Sequence, residues 1–279
     1  MKKTELMKVL EEFNFRPGKI LGQNFLIDDN LLEFIVRTTA PQPGEVILEA
    51  GPGFGALTRK MLNSGAEVHA IEFDHRICDY LRNNLQHERF HLTEGDACRV
   101  KIADILPENK DFRSIANLPY AISSIYIAKM LELPRLPRQM LFMLQKEMGL
   151  RMAAQPGTKN YSALSVRAQA MYHVKLLRTV PKQVFFPQPG VDSALVDFHL
   201  KSDALSQTAG AQLGKVARCA FSQRRKKMIK PLARNYGQAV VEAAFAALSL
   251  DLEIRPDKLD TATFIALSKE IYRHDESFD

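Results

Sequence analysis

The stretch from Val46 to Gly55 constrains this chain more than any other. Val46-Ile47-Leu48-Glu49-Ala50 is a short apolar run, and Gly51-Pro52-Gly53-Phe54-Gly55 follows it at once. A run of that length reads as a buried strand. Clustered glycines after it read as a turn where the backbone approaches a ligand before a helix begins. Helical character follows over 56–63, and the alternation then repeats. Strands are predicted at 68–73, 90–93, 114–116, 140–144 and 194–200, with a helix over 76–85. This pattern predicts an α/β fold with a parallel sheet and helices on both faces, in which ligands sit at the carboxyl ends of strands. Three unusual turns fall at such ends: 51–55, Gly95-Asp96-Ala97 and Asn117-Leu118-Pro119-Tyr120.

After Ser202 the strand signals stop. Helical patterns remain at 209–223, 238–248 and 261–273, punctuated by Pro231, Gly237 and Pro256. The expected division is therefore 1–202, an α/β domain, and 203–279, a small all-helical C-terminal domain. Eight basic residues lie between Lys215 and Arg234 with no acid among them, in a chain of net charge +6. The run is compatible with a helix lying on nucleic-acid phosphates through Arg224, Arg225, Lys226, Lys227 and Lys230, although a solvated face has the same composition. Lys146, Arg151 and Lys159 would extend that surface. Three scattered cysteines argue for a reducing cytoplasm and against a disulfide framework. No Cys/His cluster has metal-ligand spacing, so no metal site is expected and no histidine is assigned a role; His69 reads as packed or solvated. The longest apolar stretches, such as 140–144, fall far short of the ~20 residues of a membrane span. In 1–25, Lys2 and Lys3 precede Glu5, Glu11 and Glu12, which interrupt any apolar core of a secretory leader. Neither a leader nor a membrane partner is expected, and a monomer is the default.

The glycine turn has two chemical readings. From Gly51 the string satisfies G-x-G-x-x-[GA], and Glu72 ends the next strand, where an acid that binds ribose hydroxyls belongs. A nicotinamide cofactor and S-adenosylmethionine both present such a ribose. Asp96 could accept from an adenine amine, or simply shape its turn. Asn117-Leu118-Pro119-Tyr120 is more specific. Pro119 fixes its own φ and biases Leu118 toward an extended conformation, which can aim the Asn117 oxygen and the Leu118 carbonyl together. Two convergent acceptors beside an aromatic ring suit a planar base with an exocyclic amine, a group that hydride transfer does not need. Such a base could be held between Tyr120 and Phe185; core packing beside Val184 is the competing reading for Phe185 and Phe186. A nicotinamide-dependent oxidoreductase and a non-catalytic RNA-binding assembly factor remain as alternatives.

At these motifs the chain resembles the S-adenosylmethionine-dependent ribosomal RNA adenine dimethyltransferases. The likeness runs through Gly22-Gln23-Asn24-Phe25-Leu26, the glycine turn, Ile71-Glu72-Phe73-Asp74, Gly95-Asp96-Ala97, Asn117-Leu118-Pro119-Tyr120, Leu144–Glu147 and Phe185–Ser193. It continues into Ala220–Lys227 and Arg255-Pro256, and the motifs together, no single one deciding it, favour the small-subunit branch over the macrolide-resistance branch. The resemblance implies a Rossmann-like class I methyltransferase sheet, with 1–43 covering the cofactor. It implies that Asn24 and Leu26 close over S-adenosylmethionine. Gly51 would approach its methionine portion, Glu72 its ribose, and Asp96 and Ala97 its adenine. Asn117 would lie near both the methionine end of the cofactor and the target base, which Leu118, Tyr120 and Phe185 would also meet. The implied reaction is transfer of methyl groups to N6 of two adjacent adenosines near the 3′ end of small-subunit (16S) ribosomal RNA, on an immature 30S particle. Ala121 stands where that family usually has Asn, Ser162 where it has Gly, and Gln188 and Gly190 where it has Pro and Lys.

Overall fold

The computed structural model describes residues 3–18 and 22–273; Lys2, at the start of the predicted non-leader segment, lies outside them. The strands are β1 (Phe25–Leu26), β2 (Val46–Ala50), β3 (Glu67–Glu72), β4 (Phe90–Glu94), β5 (Phe112–Asn117), β6 (Gln139–Gln145), β7 (Tyr172–Val180), β8 (Phe185–Phe186) and β9 (Ser193–Leu200). The helices are α1 (Lys3–Glu12), α2 (Asp29–Thr39), α3 (Ala56–Asn63), α4 (His75–Asn84), α5 (Ser123–Met130), α6 (Lys146–Met152), α7 (Ala163–Met171), α8 (Gln207–Ala220), α9 (Ile229–Tyr236), α10 (Gln238–Ala247) and α11 (Thr261–Ile271). Among the described residues, no helix is long and apolar enough to cross a membrane.

By packing the chain forms two compact units, neither of them one continuous segment. The first is Met1–Lys129, Pro137–Lys146 and Leu177–Phe198; the second is Met130–Leu136, Glu147–Leu176 and His199–Asp279. The first carries a seven-stranded sheet in the order β4-β3-β2-β5-β6-β9-β7. The pairs β2–β3, β2–β5, β3–β4 and β5–β6 are parallel. The order reverses at β2, so the turn after β2 stands at the topological switch point where such sheets bind ligands. Every residue of β2 is buried, Glu49 included, as befits a central strand covered on both faces. In the second unit α7 packs on α8, and α11 on both. Ser162 caps α7 in a reciprocal capping box with Ser165, so the departure at this position starts a helix.

The basic run is not one helix. α8 ends at Ala220, a 3₁₀ turn follows over Phe221–Gln223, and α9 starts at Ile229. β7 and the short β1–β8 pair were not expected from the sequence.

A buried polar chain ties the amino-terminal ends of β5 and β6 to β9. Arg113 of β5 donates to the Thr39 carbonyl at the end of α2 and to Gln139 Oε1 of β6, and pairs with Glu45. Gln139 in turn donates to Asp197 of β9 at 2.8 Å. Removing Arg113 strands several buried acceptors at once. Arg113→Ala is expected to cost about 3 kcal/mol of unfolding free energy, read as a lower urea midpoint. Glu45→Gln, at a more exposed partner, is expected to cost under about 1 kcal/mol.

Candidate active site

The carboxyl ends of β2, β3, β4 and β5 open onto one cleft of about 280 Å³. Its lining includes Asn24, Leu26, Gly51, Glu72, Asp96, Ala97, Asn117, Leu118 and Tyr120, together with Ala121. The sequence placed those nine residues in five separate motifs; the fold brings them together.

The glycine turn forms its floor. Gly51, Gly53 and Gly55 have φ of 70°, 54° and 80°, values that L side chains rarely adopt. A Cβ on Gly53 would also stand 3.0 Å from the Phe25 ring. Glu72 locks the floor: one carboxylate oxygen accepts from the Phe73 and Asp74 amides at 2.9 and 3.0 Å, and the other from Gly53 N at 3.2 Å. Burial pushes its pKa up, against the downward pull of those three amides. An ionised carboxylate has about four acceptor directions, so one remains for a ligand.

Asp96 uses Oδ1 to accept from Cys98 N at 2.8 Å, and its Oδ2 stands 3.4 Å from Arg99 Nε. Asn117 ends β5, and its Nδ2 donates to the Asn24 carbonyl at 2.9 Å. That bond fixes the amide orientation and leaves Oδ1 as its free acceptor. Tyr120 shares a hydrogen bond with the buried Ser193 hydroxyl at 2.6 Å, which holds the phenol ring in place. Ser193 ends the Phe185–Ser193 motif, and nothing in its sequence setting assigns it this contact.

Phe185 departs from expectation. It is 3% exposed, pairs with Leu26 and packs in the apolar core, and it is absent from the cleft lining. A ring covered on both faces offers none to a base, so its part here is packing.

Glu49 was not singled out by the sequence. It lines the cleft and is buried, accepting from Thr58 Oγ1 at 2.6 Å. Burial pushes its pKa up to about 8, helped by the charge of Glu72. Two buried carboxyls sharing a cleft favour a positively charged ligand, which would relieve both.

The five basic residues lie in the other unit. Arg225, Lys226 and Lys230 are exposed, whereas Arg224 and Lys227 are half-buried. Arg224 donates to the Thr158 carbonyl at 2.7 Å and to the Lys159 carbonyl, and Lys227 pairs with Glu253 at 2.6 Å. Lys159 is exposed, and Arg151 pairs with Glu147.

A parallel sheet with a glycine turn at its switch point and an acid ending the neighbouring strand defines a Rossmann-like fold that takes an adenosine-bearing ligand. The Ribosomal RNA adenine dimethylase family profile matches residues 14–272, and the chain belongs to that family. It is 36% identical over 276 residues to a ribosomal RNA small subunit methyltransferase A of Clostridium acetobutylicum, covering 98% of this chain and 100% of that one. It is 39% identical over 254 residues to the protein of the same name from Thiobacillus denitrificans, covering 90% and 96%. Its fold is similar to that of a dimethyladenosine transferase from Plasmodium falciparum, with a TM-score of 0.72 and 25% identity over 87% of this chain and 95% of that one. A 23S rRNA methyltransferase, ErmE, shares the fold with a TM-score of 0.67. Family membership decides against the nicotinamide reading that the glycine turn alone left open.

Glu49 gives a pH test. Its pKa is raised on folding, so between the ordinary value of 4.5 and about 8 the folded chain holds a proton that the unfolded chain releases. The stability this confers is full below 4.5 and lost as pH rises through about 8. Glu49→Gln carries no such proton. In ligand-free protein, the urea midpoint of the variant is expected to gain on wild type from pH 5 to pH 8; a constant gap means that Glu49 ionises normally.

Proposed function

We propose that this chain binds S-adenosylmethionine in the β2–β5 cleft. There it methylates N6 of two adjacent adenosines near the 3′ end of small-subunit ribosomal RNA to N6,N6-dimethyladenosine, on immature 30S particles in the cytoplasm. The observation that carries the reading is the free Oδ1 of Asn117 in the same cleft as Glu72 and Asp96.

The cleft suits this cofactor on its own terms. A positively charged group offsets the two raised carboxyls, Glu72 keeps one acceptor direction for a ribose hydroxyl, and Asp96 keeps an oxygen for an adenine amine. Gly51, without a side chain, admits the methionine end, while Asn24, Leu26 and Ala97 shape the walls. When bound, S-adenosylmethionine supplies an electrophilic methyl on a sulfonium sulfur.

The chain's own contribution is positioning and charge. The N6 lone pair of adenine is delocalised into the ring and is a poor nucleophile. Asn117 Oδ1 and the Leu118 carbonyl would accept its two protons, favour a more pyramidal nitrogen and stabilise the positive charge that grows on it. Holding the amine in line supplies much of the acceleration. Tyr120, fixed by Ser193, offers a face to the extruded base; such stacking is worth about 1–3 kcal/mol, comparable with the cost of extrusion. The released proton passes to water. The second transfer is inferred from the family.

Asn117→Ala is expected to lower methyl transfer to immature small-subunit particles by about a hundredfold or more while particle binding survives. Mass spectrometry of dimethyladenosine in the RNA reads the result. Wild type as inactive as the variant, with binding intact in both, would leave only the assembly-factor reading.

Arg225, Lys226 and Lys230 are the exposed members of the basic run and are assigned to RNA phosphates, with Arg224 and Lys227 holding the loop that presents them. Replacing the three with Ala is expected to reduce the slope of log affinity against log salt by about 2 to 3. A salt titration of RNA binding measures this, and an unchanged slope moves the RNA surface elsewhere.

A further inference from the structure

One side-chain cluster on the sheet plays no part in the chemistry above. Glu67 and His69 lie two residues apart on β3, which puts them on one face of the strand. His91 is the register partner of His69 on the neighbouring parallel strand β4. The two imidazole rings stack with centroids 4.5 Å apart and planes 27° apart. His69 Nε2 stands 2.9 Å from Glu67 Oε1, and His91 Nε2 stands 3.4 Å from the same oxygen. One donor atom from each residue lies within 4.8 Å of the other two.

These separations are close to those of a coordination sphere. A zinc-sized ion takes nitrogen at about 2.0–2.1 Å and carboxylate oxygen at about 2.0–2.2 Å, which sets tetrahedral donors about 3.3–3.5 Å apart. The His91–Glu67 distance already has that value, and the His69–Glu67 distance needs to open by about half an ångström. The His69, Glu67 and His91 side chains are 9%, 20% and 48% exposed, so the donors step from core to solvent and leave a route for an ion and a water. Lys110 Nζ stands 3.6 Å from Glu67 Oε2. It engages the oxygen that the histidines do not face, and its charge moderates affinity for a cation.

We infer that Glu67, His69 and His91 form a binding site for one divalent transition-metal ion of the zinc class, clipping the edge strand β4 to β3. Two imidazoles and one carboxylate select such an ion over calcium or magnesium, which take oxygen ligands. The site is separate from the methyl-transfer cleft: Glu72 lies five residues further along β3, about 16 Å away at the rise of a strand.

Isothermal titration of the full chain with Zn²⁺ tests the assignment, with Co²⁺ absorption as a second readout. One Zn²⁺ per chain is expected, together with a visible Co²⁺ ligand-field band that Zn²⁺ abolishes. His91→Ala and Glu67→Gln, both at accessible side chains, are expected to weaken binding about tenfold or more while keeping the wild-type circular dichroism. His173→Ala, at an exposed histidine elsewhere, is expected to bind as wild type does. An absence of saturable Zn²⁺ binding, or equal affinity in wild type, His91→Ala and Glu67→Gln, overturns the site.

Discussion

The Glu72 carboxylate is the interaction on which the cleft depends. It binds the backbone amides of Gly53, Phe73 and Asp74, and so joins the turn after β2 to the turn after β3. Gly51 N adds a bond to the Ile71 carbonyl across the same gap. Three amides aimed at one carboxylate can hold a charge that burial alone would expel. The glycines then become a steric necessity: the turn must pass under the carboxylate at positive φ and also leave room for Phe25 above Gly53.

That contact with Phe25 ties the amino-terminal segment to the chemistry. Phe54, from the glycine turn, meets Phe15 and Phe25 at centroid distances of 5.3 and 5.0 Å, and Arg76 lies over Phe15. Edge and tilted aromatic contacts of this kind are each worth about 0.5–1.5 kcal/mol beyond their buried area. They seat residue 24 so that its carbonyl takes the Asn117 amide. One hydrogen bond therefore serves two ends: it fixes the wall of the cleft proposed for the cofactor and orients the acceptor proposed for the target base.

Much of this was legible in the chain, and for identifiable reasons. β2, β5 and β6 are short apolar runs ended by glycine, asparagine or charge, so period and punctuation suffice to find them. The cleft residues stand in turns whose residue types are unusual for any other purpose. β7 could not be read the same way, because Tyr172–Val180 is buried only at its two ends and carries His173, Lys175 and Arg178 between them. Glu49 looked like part of an apolar strand, and only burial beside Glu72 reveals its raised pKa. His69 and His91 are 22 positions apart, and it takes the β3–β4 register to make them neighbours; the Glu-x-His spacing on one strand was the sole local signal.

Phe185 and the basic run show the limit of reading function from residue type. An aromatic in a motif that accompanies base-modifying enzymes invites a stacking role, but Phe185 is consumed by its pairing with Leu26. Its influence on the cleft passes through that strand pair, which carries Leu26 into the cleft wall. The basic run divides in a similar way. A single helix would have pointed its charges around a full circle, with part of them wasted on the protein. The break between α8 and α9 instead sets Arg224 and Lys227 against carbonyls and Glu253 within their own unit. It leaves Arg225, Lys226 and Lys230 outward. Charges turned inward stiffen the loop, and a stiff loop would lose less entropy in the phosphate contact proposed for the outward charges.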